Sequence, residues 1–150
     1  MSKKKITVLS VLLEILSVLR EISKVKPSAA VVPIATERYV VLKDGWTRDT
    51  KTGLEWGQSS DRLPNFSACE KFCVESGGRM PTVNEYLTLI DRTKHNPATD
   101  ISCMKSDWYA ASDPVVWSAG DVWCVGFGSG RVSYGCKDNY YYVRPVRSSQ

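Results

Sequence analysis

Five cysteines, a single histidine and sixteen carboxylates are the side chains with which this 150-residue chain can do metal, redox or nucleophilic chemistry. Zinc takes four nitrogen or sulfur ligands, usually delivered as closely spaced pairs; there is no C-x-x-C knuckle, and His95 is the only imidazole, so no zinc site is expected. A cysteine-dependent oxidase needs two thiols held together. Cys124 and Cys136 are the only candidates, and no histidine stands near them. No Ser-His-Asp order, phosphate-cradling glycine loop or paired-carboxylate motif occurs. Calcium needs clustered carboxylate and amide oxygens, and "NPATD" offers only Asn96 and Asp100, read here as a structural turn. The expectation is a protein without catalytic residues, metal or cofactor. An odd cysteine count suits a reducing compartment with one bridge at most. Cys69 and Cys73 read as small buried hydrophobes, and Cys124 and Cys136 as free thiols on neighbouring strands, diagonal to each other.

What remains is the chemistry of recognition. Residues 117–142 mix tyrosine and tryptophan with serine, glycine and asparagine, which is the composition of a paratope: rigid aromatic area plus adaptable hydrogen bonds. A three-residue "GSG" turn between Phe127 and Arg131 predicts a hairpin. Strand alternation then puts Trp123, Val125 and Phe127 on the core face, with Cys124, Gly126, Val132, Tyr134 and Cys136 on the other. The candidate ligand-binding residues are Asp121, Cys124, Gly126, Arg131, Ser133, Tyr134, Lys137, Asp138, Asn139 and Tyr140. Trp117 and Trp123 are expected to fill the core.

Those strands need a scaffold. "RYVVL" and "GLEWG", separated by "KDG" and "DTKTG", read as strands of a meander. "NFSACEKFCVES", stopped by Gly77 and Gly78, reads as a helix with Phe66, Cys69 and Cys73 on one face. A second helix starts at Thr82, where Glu85 completes a capping box; Val83, Leu87 and Ile90 form its expected buried stripe. "VWSA", "DVWCVGF", "RVSYG" and "YYYVRPV" read as further strands.

Residues 1–26 form a separate element. Val8, Leu12, Ile15, Leu19 and Ile22 recur at alternating spacings of four and three, the seam of a coiled coil, and Leu9, Leu13 and Leu16 widen it. This predicts a homo-oligomer through residues 5–25, a trimer being favoured over packing on the chain's own domain. The basic start and apolar run imitate a signal peptide, but Glu14 and the charges from Arg20 to Lys26 argue against that and against firm membrane insertion. Residues 27–36, with Pro27 and Pro33, read as a linker, 37–147 as the domain and 148–150 as a tail. Six of the twenty Lys/Arg lie in residues 1–26 against Glu14 and Glu21, so the domain itself is neutral and no nucleic-acid partner is expected.

Several segments taken in order resemble one family. "DGWTRDTKTGLEW" (44–56), "GGRMPTVNEYLTLID" (77–91), "NPATD" (96–100), "WSA" (117–119), "VWCVGF" (122–127) and "YYVRPVR" (141–147) are similar to the Legionella collagen-like (Lcl) C-terminal domain family, whose fold is related to C-type lectins and the formylglycine-generating enzyme. The resemblance implies an α+β, C-type-lectin-like domain in which two helices pack on a twisted, mostly antiparallel sheet, preceded here by the amphipathic helix. It also implies a binding module at a virion or cell surface, recognising a glycan or protein. The link from "WSA" to "VWCVGF" is short, and a short helix stands in place of a collagen-like stalk. The stretch 117–147 also resembles variable proteins diversified by retroelements, in which outward positions such as Cys124, Tyr134, Asp138 and Tyr140 vary on a fixed scaffold. In this reading "YVRPVR" closes the scaffold, with Val143 and Val146 packed and Arg144 paired to Glu85 or Asp91. The alternative is a structural subunit of a phage tail or surface fibre.

Overall fold

The computed structural model describes residues 8–24 and 37–149, in two compact units. The first is the helix α1, Val8–Lys24, in which no residue is buried. Lys24 lies in its last turn, where a cation complements the helix dipole, and pairs with Glu21 at 2.9 Å. The rest of the expected helix, residues 1–7 and 25–26, and the linker at 27–36 lie outside the described residues.

The second unit is α+β. Short strands β1 (Tyr39–Val41), β2 (Thr47–Asp49) and β3 (Leu54–Trp56) form the expected meander. Two helices follow, α2 (Phe66–Glu75) and α3 (Val83–Leu89), then β4 (Trp108–Pro114), β5 (Asp121–Gly126), β6 (Arg131–Cys136) and β7 (Val146–Ser148). They make two antiparallel sheets rather than one, ordered β1-β2-β3-β7 and β4-β5-β6. Among the described residues no helix is long and apolar enough to cross a membrane.

The helices start where local chemistry directs. The Asn65 side chain accepts the Ala68 N–H at the head of α2, and Gly77, at φ +83°, follows its end. On α3 the Thr82 hydroxyl accepts the Glu85 N–H at 3.1 Å while the Glu85 carboxylate accepts the Thr82 N–H at 2.9 Å. Its buried residues are Tyr86 and Leu89, however, and the expected stripe of Val83, Leu87 and Ile90 is only partly buried around them. Tyr86 is drawn inward because its ring stacks on Trp56 and meets Tyr109 and Phe127 edge-on, and its hydroxyl accepts the Arg144 N–H.

Two core clusters result. One gathers Trp56, Tyr86, Leu89, Tyr109, Phe127 and Val146; the other sets Cys69 and Cys73 of α2 against Ala110, Val122, Cys124 and Val143. Residues 141–148 run between them. Tyr141 and Tyr142 bridge to Leu63 and Tyr109, Val143 exchanges hydrogen bonds with Ser60, and β7 pairs with β3. "YYYVRPV" is thus a set of single bridges rather than a continuous strand. Val143 and Val146 are fully buried as expected.

Three further expectations change. "VWSA" is a turn, and the strand lies earlier, at β4, whose Tyr109, Ala110 and Ala111 are buried without alternation. The hairpin turn holds four residues, 127–130, so Gly126 opposes Arg131 and Trp123 opposes Tyr134. That one-residue shift puts Cys124 and Cys136 on opposite faces, not on one diagonal. Finally, Arg144 pairs with neither Glu85 nor Asp91. It is buried, donating from Nη1 to the Ser102 carbonyl at 2.6 Å, while Glu85 is held by Arg79 and Asp91 by Thr93.

Candidate ligand-binding site

β5 is the central strand of its sheet, and both of its faces are covered. Val122 and Cys124 pack in the α2 cluster, while Val125 joins the aromatic one. Cys124 and Gly126 are therefore not free outward positions, contrary to the alternation read from sequence. Cys124 is buried, with its thiol 3.5 Å from the Ser133 carbonyl. Gly126 lies under the Trp108 ring so closely that an added Cβ would stand 3.2 Å from it.

Beside this strand the surface dips into an open depression of about 330 Å³. Cys124, Ser133 and Gly135 line its floor, with Tyr134, Asn139, Tyr140 and Tyr141 around it. Arg62, Asp107 and Trp108 complete the wall from distant segments. Trp108 and Asp107 also border a second depression of about 180 Å³, which Gly126, Gly128, Ser129 and Arg131 line. Of the ten candidates, Cys124, Ser133, Tyr134, Asn139 and Tyr140 thus meet in the first depression, and Gly126 and Arg131 in the second. Asp121, Lys137 and Asp138 line neither.

The 137–141 loop is fixed from below. The Lys137 N–H donates to the Gly120 carbonyl and the Phe66 N–H to the Lys137 carbonyl, both at 2.8 Å. The buried Tyr141 donates its hydroxyl to the Cys136 carbonyl at 2.8 Å, and burial pushes its pKa up. Tyr140 remains exposed, with the Arg62 guanidinium 5.5 Å from its ring centroid. The chemistry on offer is an aromatic wall with planar polar groups: a guanidinium, a carboxylate and a carboxamide. Arg62, Asp107 and Trp108 were invisible to strand periodicity because each comes from a loop or strand end far away in sequence.

Tyr134 borders the depression along its strand, but its ring turns to the opposite face of the hairpin, where it forms a triad with Trp117 and Trp123, ring centroids 5.6–5.7 Å apart and each pair edge to face. Trp117 does not fill the core as expected, whereas Trp123 is partly buried and packs against the aromatic cluster. Trp117 is 62% exposed, and Trp123 is half-buried, sharing the β5 face of Val125 and standing opposite Tyr134 at the outer end of that face.

The cysteines offer no assembled reactive centre. Burial pushes the thiols of Cys69 and Cys73 up to about 12 and that of Cys124 up to about 11. Cys136 and His95 are exposed and apart from them in the fold. Among the described residues no three His, Cys, Asp or Glu side chains cluster as metal ligands would.

Residues 45–147, well over half of the chain, match the Lcl C-terminal domain family. The chain belongs to this family. The match takes in both sheets almost entirely, both domain helices and every residue around the two depressions. No curated protein and no solved structure matches the chain.

Proposed function

We propose that this Lcl C-terminal domain is a non-catalytic, adhesin- or receptor-type module at a virion or cell surface. It recognises a cell-surface glycan or protein through its C-terminal strands and loops. The observation that carries this reading is the first depression, where Ser133, Tyr134, Asn139 and Tyr140 converge with Arg62, Asp107 and Trp108. Aromatic walls with a few oriented polar groups suit ligand orientation better than bond chemistry, and thiols raised by burial are poor nucleophiles at neutral pH. Membership of the family supports a surface-adhesion role. On this reading the C-type-lectin relationship is one of architecture, and the partly buried Ser133 with the exposed Tyr134, Asn139 and Tyr140 are the positions that a diversifying system would vary. α1 presents the domain as a homo-oligomer, in keeping with its uncovered apolar seam. That same seam favours a second reading, a subunit of a phage tail or surface fibre.

Glycan-array and whole-cell binding by the full chain test the first reading. Tyr140→Ala and Asn139→Ala are each expected to weaken binding at least ten-fold with unchanged thermal unfolding. Binding that survives both substitutions would remove the depression from the function.

A further inference from the structure

β6 is the terminal strand of its sheet, and the hydrogen-bond alternation of the hairpin fixes which of its backbone groups face outward. The Lys137 N–H reaches the Gly120 carbonyl just beyond the Asp121–Cys136 pair, so in an antiparallel ladder the hydrogen-bonded pairs are those of Gly135, Ser133 and Arg131. Val132, Tyr134 and Cys136 therefore turn their N–H and C=O groups away from β5. The Cys136 carbonyl is taken by the Tyr141 hydroxyl at 2.8 Å and the Asn139 N–H at 3.0 Å, so the open edge is that of Val132 and Tyr134. Those of Val132 and Tyr134 have no partner among the described residues, and the side chains are 39% and 50% exposed.

Edge strands are usually blunted by proline, a bulge or a charge in mid-strand. β6 has none: its register runs unbroken over six pairs, and the charges flank it, Arg131 at its start and Lys137 just past its end. Neither cation has a carboxylate partner among the ion pairs of the described residues, and Lys137 lies over the Phe66 ring at 5.5 Å.

We infer that the outer edge of β6 is a strand-addition site for an extended segment of another protein, one bearing acidic residues six positions apart with small or apolar residues between them. A polypeptide backbone is the ligand that matches donors and acceptors repeating every second residue. The flanking cations select the charge. They also disfavour a second copy of this chain. Antiparallel pairing of β6 with itself through Val132 and Tyr134 sets Arg131 diagonal to the second copy's Lys137, and the register that recruits Cys136 sets them directly opposite. This surface adjoins the depressions, which Tyr134 and Arg131 border, while Val132 lines neither of them.

The test is amide hydrogen exchange on the full chain. One probe is a blocked seven-residue peptide of alternating valine and threonine with aspartate at both ends; the control carries lysine at both ends. The acidic peptide is expected to slow exchange at Val132 and Tyr134 at least ten-fold, the lysine peptide to leave it unchanged. Val132→Pro removes an outward N–H without breaking the ladder to β5 and should abolish the protection. Should that variant fail to fold, Arg131→Glu combined with Lys137→Glu decides, by transferring the protection to the lysine peptide. Equal protection by both peptides, protection by neither, or protection that rises with protein concentration alone would overturn the inference.

Discussion

Arg144 is the most demanding residue in the domain. It is 1% exposed, no carboxylate faces it, its Nε has no hydrogen-bond partner among the described residues, and burial lowers its pKa. A buried guanidinium whose side chain donates to one carbonyl and faces no carboxylate contributes through packing more than through charge. Arg144→Met keeps the volume and removes the buried charge, so it should change stability by less than about 1.5 kcal/mol. Arg144→Ala leaves a cavity beside Tyr86 and should cost about 3 kcal/mol. Urea unfolding of the two variants separates these contributions; equal losses would mean that the charge itself is required.

At the scale of elements, α3 is short, with seven residues, and depends on its cap as well as on packing. Thr82→Ala removes the acceptor for the Glu85 N–H and should cost about 1 kcal/mol in a thermal or urea melt. Glu85 is shared with Arg79 at 2.5 Å, so Arg79→Ala should loosen the same helix end. The capping box, the helix stop at Gly77 and the hairpin were legible because each is written in two or three neighbouring residues. The hairpin register was not: "GSG" fits a three-residue turn as well as "FGSG" fits a four-residue one. That single step moved Tyr134 and Cys136 to the face of Trp123 and brought Ser133 and Gly135 to the face of Cys124. β4 was missed because a strand covered on both faces shows no alternation. Arg62, Asp107 and Trp108 reach the depression only through the tertiary fold, and no local pattern announces them.

Across the whole molecule, paired carboxylates set the response to acid. Arg48 and then Arg147 hold the buried Glu55 carboxyl below the usual range, and Arg79 and then Thr82 do the same for Glu85. A carboxyl whose folded pKa is depressed contributes stability above its unfolded pKa, about 4.3, and loses it as pH falls through the folded value. Urea midpoints should therefore be flat from pH 7 to about 5 and fall below about 4. Glu55→Gln should lower the plateau and flatten the acid limb. On the proposed reading α1 governs assembly independently of this. Light scattering should report a trimer for the full chain and a monomer once residues 1–30 are deleted; a mass per particle that does not change would remove the stalk.

The passage of residues 141–148 between the two sheets sets the timing of folding in the cell. Both core clusters draw on this segment, and β3 finds its outer neighbour only in β7. As the chain emerges from the ribosome, everything up to Tyr140 is present while neither cluster is closed. The domain must therefore wait, exposed to chaperones and proteases, until its last strand has been synthesised. A chain stopped before Tyr141 would be expected to be degraded rather than merely weakened.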